Sequence, residues 1–223
     1  MTMSQQDDIR VEMESHYWWH SIALGDGLVT RGAKSPELMA EEIRNTFDGL
    51  SLQGKSVLDI GAWNGGFSIE AKRRGARRVV ALDRPNVPNG VRESLDFAIR
   101  TSGLAIERVE RDIEEPGALN GLGQFDVVLF LGVLYHLVDP VLALRQIFAV
   151  TKEAMVLETY VEISPDPRPL MVFYPSDELG HDPSNWWGPN IACVEHLLRT
   201  VGFSRTETIQ PNDANRILCR GFP

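Results

Sequence analysis

A chain of 223 residues, with 22 Lys and Arg against 31 Asp and Glu, carries a formal charge of −9. That length suits one domain with a cap, and 43% apolar with 24% charged residues excludes wholesale disorder. The longest apolar run, 127–135, is nine residues against the roughly 20 of a bilayer span, so no membrane segment is expected.

The start, MTMSQQDDIR, lacks a basic end followed by an apolar stretch and predicts no signal peptide. Residues 1–50 read as an N-terminal helical cap on a main domain over 51–223. Ser35-Pro36-Glu37 marks a helix start: a hydroxyl cap, a proline at the first helical position, then an acid facing the dipole. Met39, Ile43 and Phe47 form one apolar stripe along that helix, and Gly49 ends it. Strands at 56–60 and 78–82 then alternate with helices at 67–74 and 91–102. A weaker strand follows at 105–110. The run 125–131, FDVVLFL, is continuously apolar, as a strand buried on both faces should be. A helix at 140–150, a strand at 154–159, a polar insertion at 161–190 and a helix at 191–200 come next. Strands at 203–209 and 215–219 close the chain. Only about five residues separate them, too few for a parallel crossover, so they must be antiparallel. The expected class is α/β: a seven-stranded, mostly parallel sheet with a reversed last strand. Ligands of such sheets sit at the carboxyl ends of the strands, near the topological switch point.

The first candidate site is the turn from Asp59 through Gly61, Trp63, Asn64, Gly65 and Gly66. Glycines there let the backbone approach a ligand at a helix N-terminus. Asp59 in an apolar strand needs a partner. Asp83 follows the second strand, twenty-two positions after Gly61, where an acid can accept both hydroxyls of a ribose. Trp63 stands where a phosphate-binding fingerprint would have its second glycine, which argues against a pyrophosphate and a nicotinamide dehydrogenase. The tryptophans at 18, 19, 63, 186 and 187 fall outside the expected sheet strands and helix stripes. They suggest a pocket lining or a water-excluding lid; packing of the cap on the domain is the alternative. Cys193 and Cys219 make neither a disulfide framework nor a metal spacing. A reduced, cytoplasmic protein is expected. Acids and a histidine at Asp177, Glu178, His181 and Asp182 read as hydrated surface, and no metal is expected.

Taken together, these features resemble the class I S-adenosylmethionine-dependent methyltransferases, over roughly residues 52–220. Asp59, Gly61 and Gly65 look like that family's first motif and Asp83 like its ribose-binding acid. Asp112 and Ile113 look like its adenine site, and Leu131-Gly132 like the segment along the methionine moiety. Trp63 departs from the pattern. The resemblance implies S-adenosylmethionine as cofactor, contacted by Asp59, Gly61, Trp63, Asn64, Gly65, Asp83, Asp112, Ile113 and Leu131.

The strings LGVLYHLVDPVLALRQI (131–147) and MVLET (155–159) further resemble the transferases that modify the wobble uridine of tRNA with a carboxylated cofactor. In that group a tyrosine near the position of Gly66 helps hold the extra carboxylate; Gly66 offers no side chain, which implies the ordinary methyl donor. The stretches 18–32 and 173–190 resemble a small-molecule branch of that group. The expected activity is therefore methyl transfer to O, N or S of a small molecule. The alternatives are a tRNA modifier, which the acidic balance opposes, and a non-catalytic cofactor-binding protein. His136 and His20 are the candidate bases, since an imidazole titrates near neutrality. Trp18, Trp19, Tyr135, Arg168, Tyr174 and Trp186 are the candidate acceptor-binding residues. Glu158 at the pocket rim is placed to orient a cationic acceptor or to pair with Arg168. His181 reads as solvated and His196 as structural. No nucleic-acid or membrane partner is expected, and the assembly is a monomer or homodimer.

Overall fold

The computed structural model describes residues 3–88, 90–209, 213 and 215–223. The cap is less helical than expected. A helix α1 (Met3–Ser15) is followed by a short antiparallel pair, β1 (Ala23–Gly25) and β2 (Leu28–Val29), and then by α2 (Pro36–Phe47). Gly25 and Gly27 carry positive φ around that turn, a hairpin signal that the reading of 1–50 passed over. The start of α2 is as expected. Ser35 caps it, accepting from the Leu38 amide at 3.3 Å, with Pro36 in the first turn.

The main domain runs β3 (Ser56–Ile60), α3 (Gly66–Arg73), β4 (Arg78–Asp83), α4 (Val91–Ser102), β5 (Glu107–Glu110), β6 (Phe125–Leu131), α5 (Pro140–Val150) and β7 (Thr151–Tyr160). A 3-10 turn, Leu134–His136, lies between β6 and α5. Next come β8 (Met171–Phe173), β9 (Trp187–Pro189), α6 (Ile191–Val201), β10 (Arg205–Ile209) and β11 (Arg216–Phe222). The insertion thus contains its own two-stranded sheet, β8 with β9, and Trp187 lies in a strand rather than a loop. Residues 210–212 and 214 of the expected terminal turn, and Met1 and Thr2 of the cap, lie outside the described residues.

The seven-stranded sheet has the order β10-β11-β7-β6-β3-β4-β5. β3 pairs in parallel with both β4 and β6, and β6 with β7. β11 runs antiparallel to both β7 and β10, the reversed last strand that the short connection requires. From β3 the chain goes outward to β4 and β5, then returns to β6 on the opposite side. The switch point is therefore between β3 and β6. Alternate residues feed two cores. Leu58, Val128, Phe130 and Leu157 pack on α5 and α6; Val57, Val127, Leu129 and Val156 pack on α2 and α3. Every residue of β3 is buried, the pattern of a strand covered on both faces. Trp18, Ile22, Leu24 and Leu28 seal the cap onto Ile69 of α3 and Phe97 of α4. No helix among the described residues is long and apolar enough to cross a membrane.

Candidate functional site at the carboxyl ends of the sheet

The glycine turn closes β3 against its neighbours. Gly61 and Ala62 donate their amides to the Leu82 carbonyl at 2.8 and 3.2 Å. Gly61 has φ +73°, and a Cβ there would lie 2.3 Å from Val133 Cγ2. Only glycine lets the segment after β6 close this tightly over the turn. Trp63 itself sits at φ +50°, a conformation that costs a bulky residue about 1–3 kcal/mol unless it is held. Asp83 holds it: Oδ2 accepts from the Trp63 amide at 2.8 Å while Oδ1 accepts from the Arg84 amide at 2.9 Å.

Three acids converge here. Burial pushes the Asp83 carboxyl up, opposed by the Trp63 and Arg84 amides and reinforced by the charge of Asp112. Asp59 is 2% exposed and accepts from Ser68 Oγ at 2.6 Å. Burial, with the charge of Asp83 adding to it, pushes Asp59 up to about 7. Asp112 accepts from the Glu114 amide at 3.0 Å. The Ile113 side chain belongs to the core, its carbonyl accepting from Gln146 at 2.7 Å. Leu131 ends β6 at the same rim. Mutually repelling carboxylates in a desolvated site favour a cationic ligand. Trp63 Nε1 is enclosed and bonds to no group among the described residues, a buried donor awaiting an acceptor.

Asn64 has a different occupation from the one its place in the turn suggested. Its Oδ1 accepts from the Trp19 amide at 2.8 Å, and its Nδ2 donates to Tyr17 O at 3.2 Å and Ser94 Oγ at 2.6 Å. The carboxamide is fully buried and fastens the cap and α4 to the turn, leaving it no group for a ligand. Trp18 is likewise spent on packing: it is buried, donates Nε1 to Met13 O at 2.8 Å, and meets Phe97 edge-on. His20 is enclosed between the cap and α3, edge-on to Phe67, with Nδ1 unpartnered among the described residues. Burial and then the charge of Lys34 lower it to about 3, so it is a neutral packed ring. Trp19 is half exposed.

The segment after β6 builds the other wall. Arg216 of β11 pairs with Glu158 of β7 through Nε and, at 2.7 Å, through Nη2, which also donates to the Tyr135 hydroxyl at 3.2 Å. Burial alone would lower the Arg216 guanidinium, but Glu158 outweighs it and raises it; burial raises the Tyr135 phenol. Of the two roles open to Glu158, orienting a cationic acceptor or pairing with Arg168, the second is not realised, since its partner is Arg216. Arg168 instead lies on the surface, its side chain 75% exposed and paired with Asp166 two residues away. His136 places Nδ1 3.0 Å from both the carbonyl and the hydroxyl of Ser184. Trp186 donates its amide to Tyr135 O at 2.8 Å, so the insertion clasps the 3-10 turn at two points. The Trp186 ring stacks on Phe173 at 6.1 Å. Tyr174 donates its hydroxyl to Glu162, as does Tyr160.

The sequence reading missed Arg216 and Ser184. The β11 register was a usable signal for Arg216, because it sets Leu218 opposite Glu158 and so carries the same-face Arg216 alongside. Nothing local marks Ser184, which reaches His136 across 48 residues.

Comparison with known proteins matches residues 33–203 to a family described as a methyltransferase domain. A tRNA U34 carboxymethyltransferase of Pseudomonas putida (strain W619) is 33% identical over 168 residues, covering 70% of this chain and 47% of that protein. A tRNA U34 carboxymethyltransferase of Dichelobacter nodosus (strain VCS1703A) is 32% identical over 159 residues with the same coverages. The chain thus spans about half the length of the curated relatives it matches. Among solved structures, the N-terminal domain of EvdMO1, crystallised with SAH and D-fucose, aligns at TM-score 0.73 and 20% identity over 99% of this chain and 97% of that one. A Burkholderia thailandensis 1,6-didemethyltoxoflavin-N1-methyltransferase aligns at TM-score 0.59 and 18% identity, over 82% and 77% of the two chains.

Proposed function

The chain belongs to the methyltransferase-domain family, and from that premise we propose that it transfers a methyl group from S-adenosylmethionine to an O, N or S atom of a small molecule by in-line displacement. The observation that carries this reading is the Asp83 bracket: one carboxylate that closes β4, fixes the Trp63 amide and keeps lone pairs free at the strand ends. The residues present fit the cofactor. Acceptors at Asp83 and Asp112 suit hydroxyl and amine donors, and the enclosed Trp63 Nε1 offers a donor to an acceptor atom. Asp83 would accept from the ribose hydroxyls and Asp112 from the adenine amine, with the Ile113 backbone at the ring. Gly61, Gly65 and Leu131 would flank the rest. When bound, the cofactor supplies a sulfonium methyl, the electrophile of the displacement.

The chain's own part is positioning, exclusion of water and one proton. His136 follows β6 at the rim, and burial lowers its imidazole from the usual range, against the opposing influence of Ser184 and Asp182. It serves as the base for an acceptor X–H, with Tyr135 beside it. The insertion seated on Tyr135 and His136 covers the acceptor. The ordinary donor is favoured over a carboxylated one at Gly66, where even a Cβ would sit 3.2 Å from His20 Nδ1 and Met39 Cε; no side chain there reaches the cofactor.

A small acceptor is supported by the charge of −9 and by the small molecules named with the two structural neighbours. The names of the curated relatives favour tRNA as a second reading. The test offers isotopically labelled S-adenosylmethionine with a metabolite extract or with bulk tRNA, followed by mass spectrometry. Label in a small-molecule product supports the proposal. Label in a tRNA nucleoside replaces the acceptor, and tight cofactor binding with no labelled product in either arm leaves a cofactor-binding protein.

A further inference from the structure

The insertion reaches the 3-10 turn after β6 through a chain of three side chains. Ser184 donates its amide and its hydroxyl to Asp182 Oδ1, at 2.9 and 2.7 Å. A hydroxyl has one proton, so Ser184 Oγ can offer His136 only lone pairs. The Ser184 carbonyl is an acceptor by nature. Both stand 3.0 Å from His136 Nδ1. Two acceptors aimed at one ring nitrogen require a proton there. Nε2 makes no hydrogen bond among the described residues and keeps its lone pair. Asp182 had read as part of a hydrated surface cluster. That holds for its neighbour His181, whose side chain is 96% exposed, but Asp182 is turned toward Ser184.

We propose that Ser184 and Asp182 are positioning residues that lock His136 as the Nδ1–H tautomer, so that the Nε2 base is set only while the insertion is seated. This rests on the reading of His136 as base. In the step so prepared, the acceptor X–H bond breaks and its proton passes to Nε2. The X–C bond forms as the methyl–sulfur bond breaks, and that electron pair stays on sulfur, which becomes a neutral thioether. The tautomer matters because a ring protonated at Nε2 would present a donor to the atom that must lose its proton. Asp182 does for the serine what a carboxylate does directly for a histidine in a hydrolase triad: it fixes direction without taking the proton.

The experiment is long-range 1H–15N correlation on the full-length 15N-labelled chain at pH 8, with His136 assigned by its loss in His136→Ala. The expected spectrum has Nδ1 protonated and Nε2 bare. Asp182→Ala should shift the ring to a mixture of tautomers and lower methyl incorporation from labelled S-adenosylmethionine into the metabolite extract about tenfold, a fraction of what a general base supplies. Asp182→Asn, whose carbonyl still accepts from Ser184, should return the ring to Nδ1–H. Should Asp182→Ala not fold, Ser184→Ala keeps the carbonyl, loses the hydroxyl and should raise the Nε2–H share. A wild-type ring protonated at Nε2, or one indifferent to both alanine variants, overturns the proposal. Undiminished incorporation by His136→Ala with the wild-type tautomer intact instead removes His136 as base, a distinct result.

Discussion

Asp83 and Trp63 hold each other in place: the carboxylate that ends β4 accepts the amide of the one bulky residue forced into a left-handed conformation in the glycine turn. The acid therefore fastens the loop and, in the reading proposed above, would bind the cofactor as well. Asp83→Ala should lose charge-assisted hydrogen bonds worth roughly 1.5–3 kcal/mol each and release the turn as well. Calorimetry with S-adenosylmethionine should show Kd raised by about 100-fold or more. An unchanged Kd would remove Asp83 from the cofactor site.

His136→Ala should separate chemistry from binding. Turnover should fall by about 100-fold, the low end for a general base, while cofactor affinity stays within about twofold, since the acids and the glycine turn are untouched. Equal losses in both would mark His136 as a cofactor contact.

Asp59 makes stability depend on pH. Its carboxyl is raised from 3.8 to about 7 in the fold, so the folded state resists its ionisation. The stability linked to this group is fullest below about pH 4, is lost as pH rises from there toward 7, and stays lost above. Asp59→Asn keeps an acceptor for Ser68 Oγ and removes the charge. At pH 8 it should stabilise the ligand-free protein by up to about 4 kcal/mol, the ceiling for a shift of about three pH units. At pH 3 it should do nothing. Urea melts at the two pH values check this; a variant less stable at pH 8 would contradict it.

Arg216→Leu should cost roughly 2 kcal/mol, below the 3–5 kcal/mol of a fully buried pair, because Arg216 and Glu158 keep side-chain exposures of 30% and 21%. It strands Glu158 and frees the Tyr135 hydroxyl. Replacing Glu158 with Leu as well should recover most of that loss, as measured by denaturant melts of the single and double variants.

Local chemistry was legible from the sequence wherever one segment decides its own structure. Ser35 and Pro36 announced α2, the unbroken apolar run announced β6, and the short final connection announced the reversed strand. The candidate site was legible as positions only: following a strand toward its end placed Asp59, Asp83 and Leu131 near the carboxyl ends of the sheet. It failed where partners meet across the fold. Glu158 and Arg216 are 58 residues apart and meet only because β11 returns beside β7. A buried carboxamide in a glycine turn looks the same in sequence whether it faces a ligand or, as Asn64 does, the cap. Trp18 and His20 take the packing alternative that the cap left open, meeting Phe97 and Phe67 in the interior.

The family match begins at residue 33, yet Asn64, besides Ser94, grips groups of residues 17 and 19. Cutting the chain at that border would excise the tenon and leave the mortise: a carboxamide within the glycine turn stripped of its partners in the cap. Homology limits drawn from the sheet alone therefore underestimate the smallest unit that can keep this loop in shape.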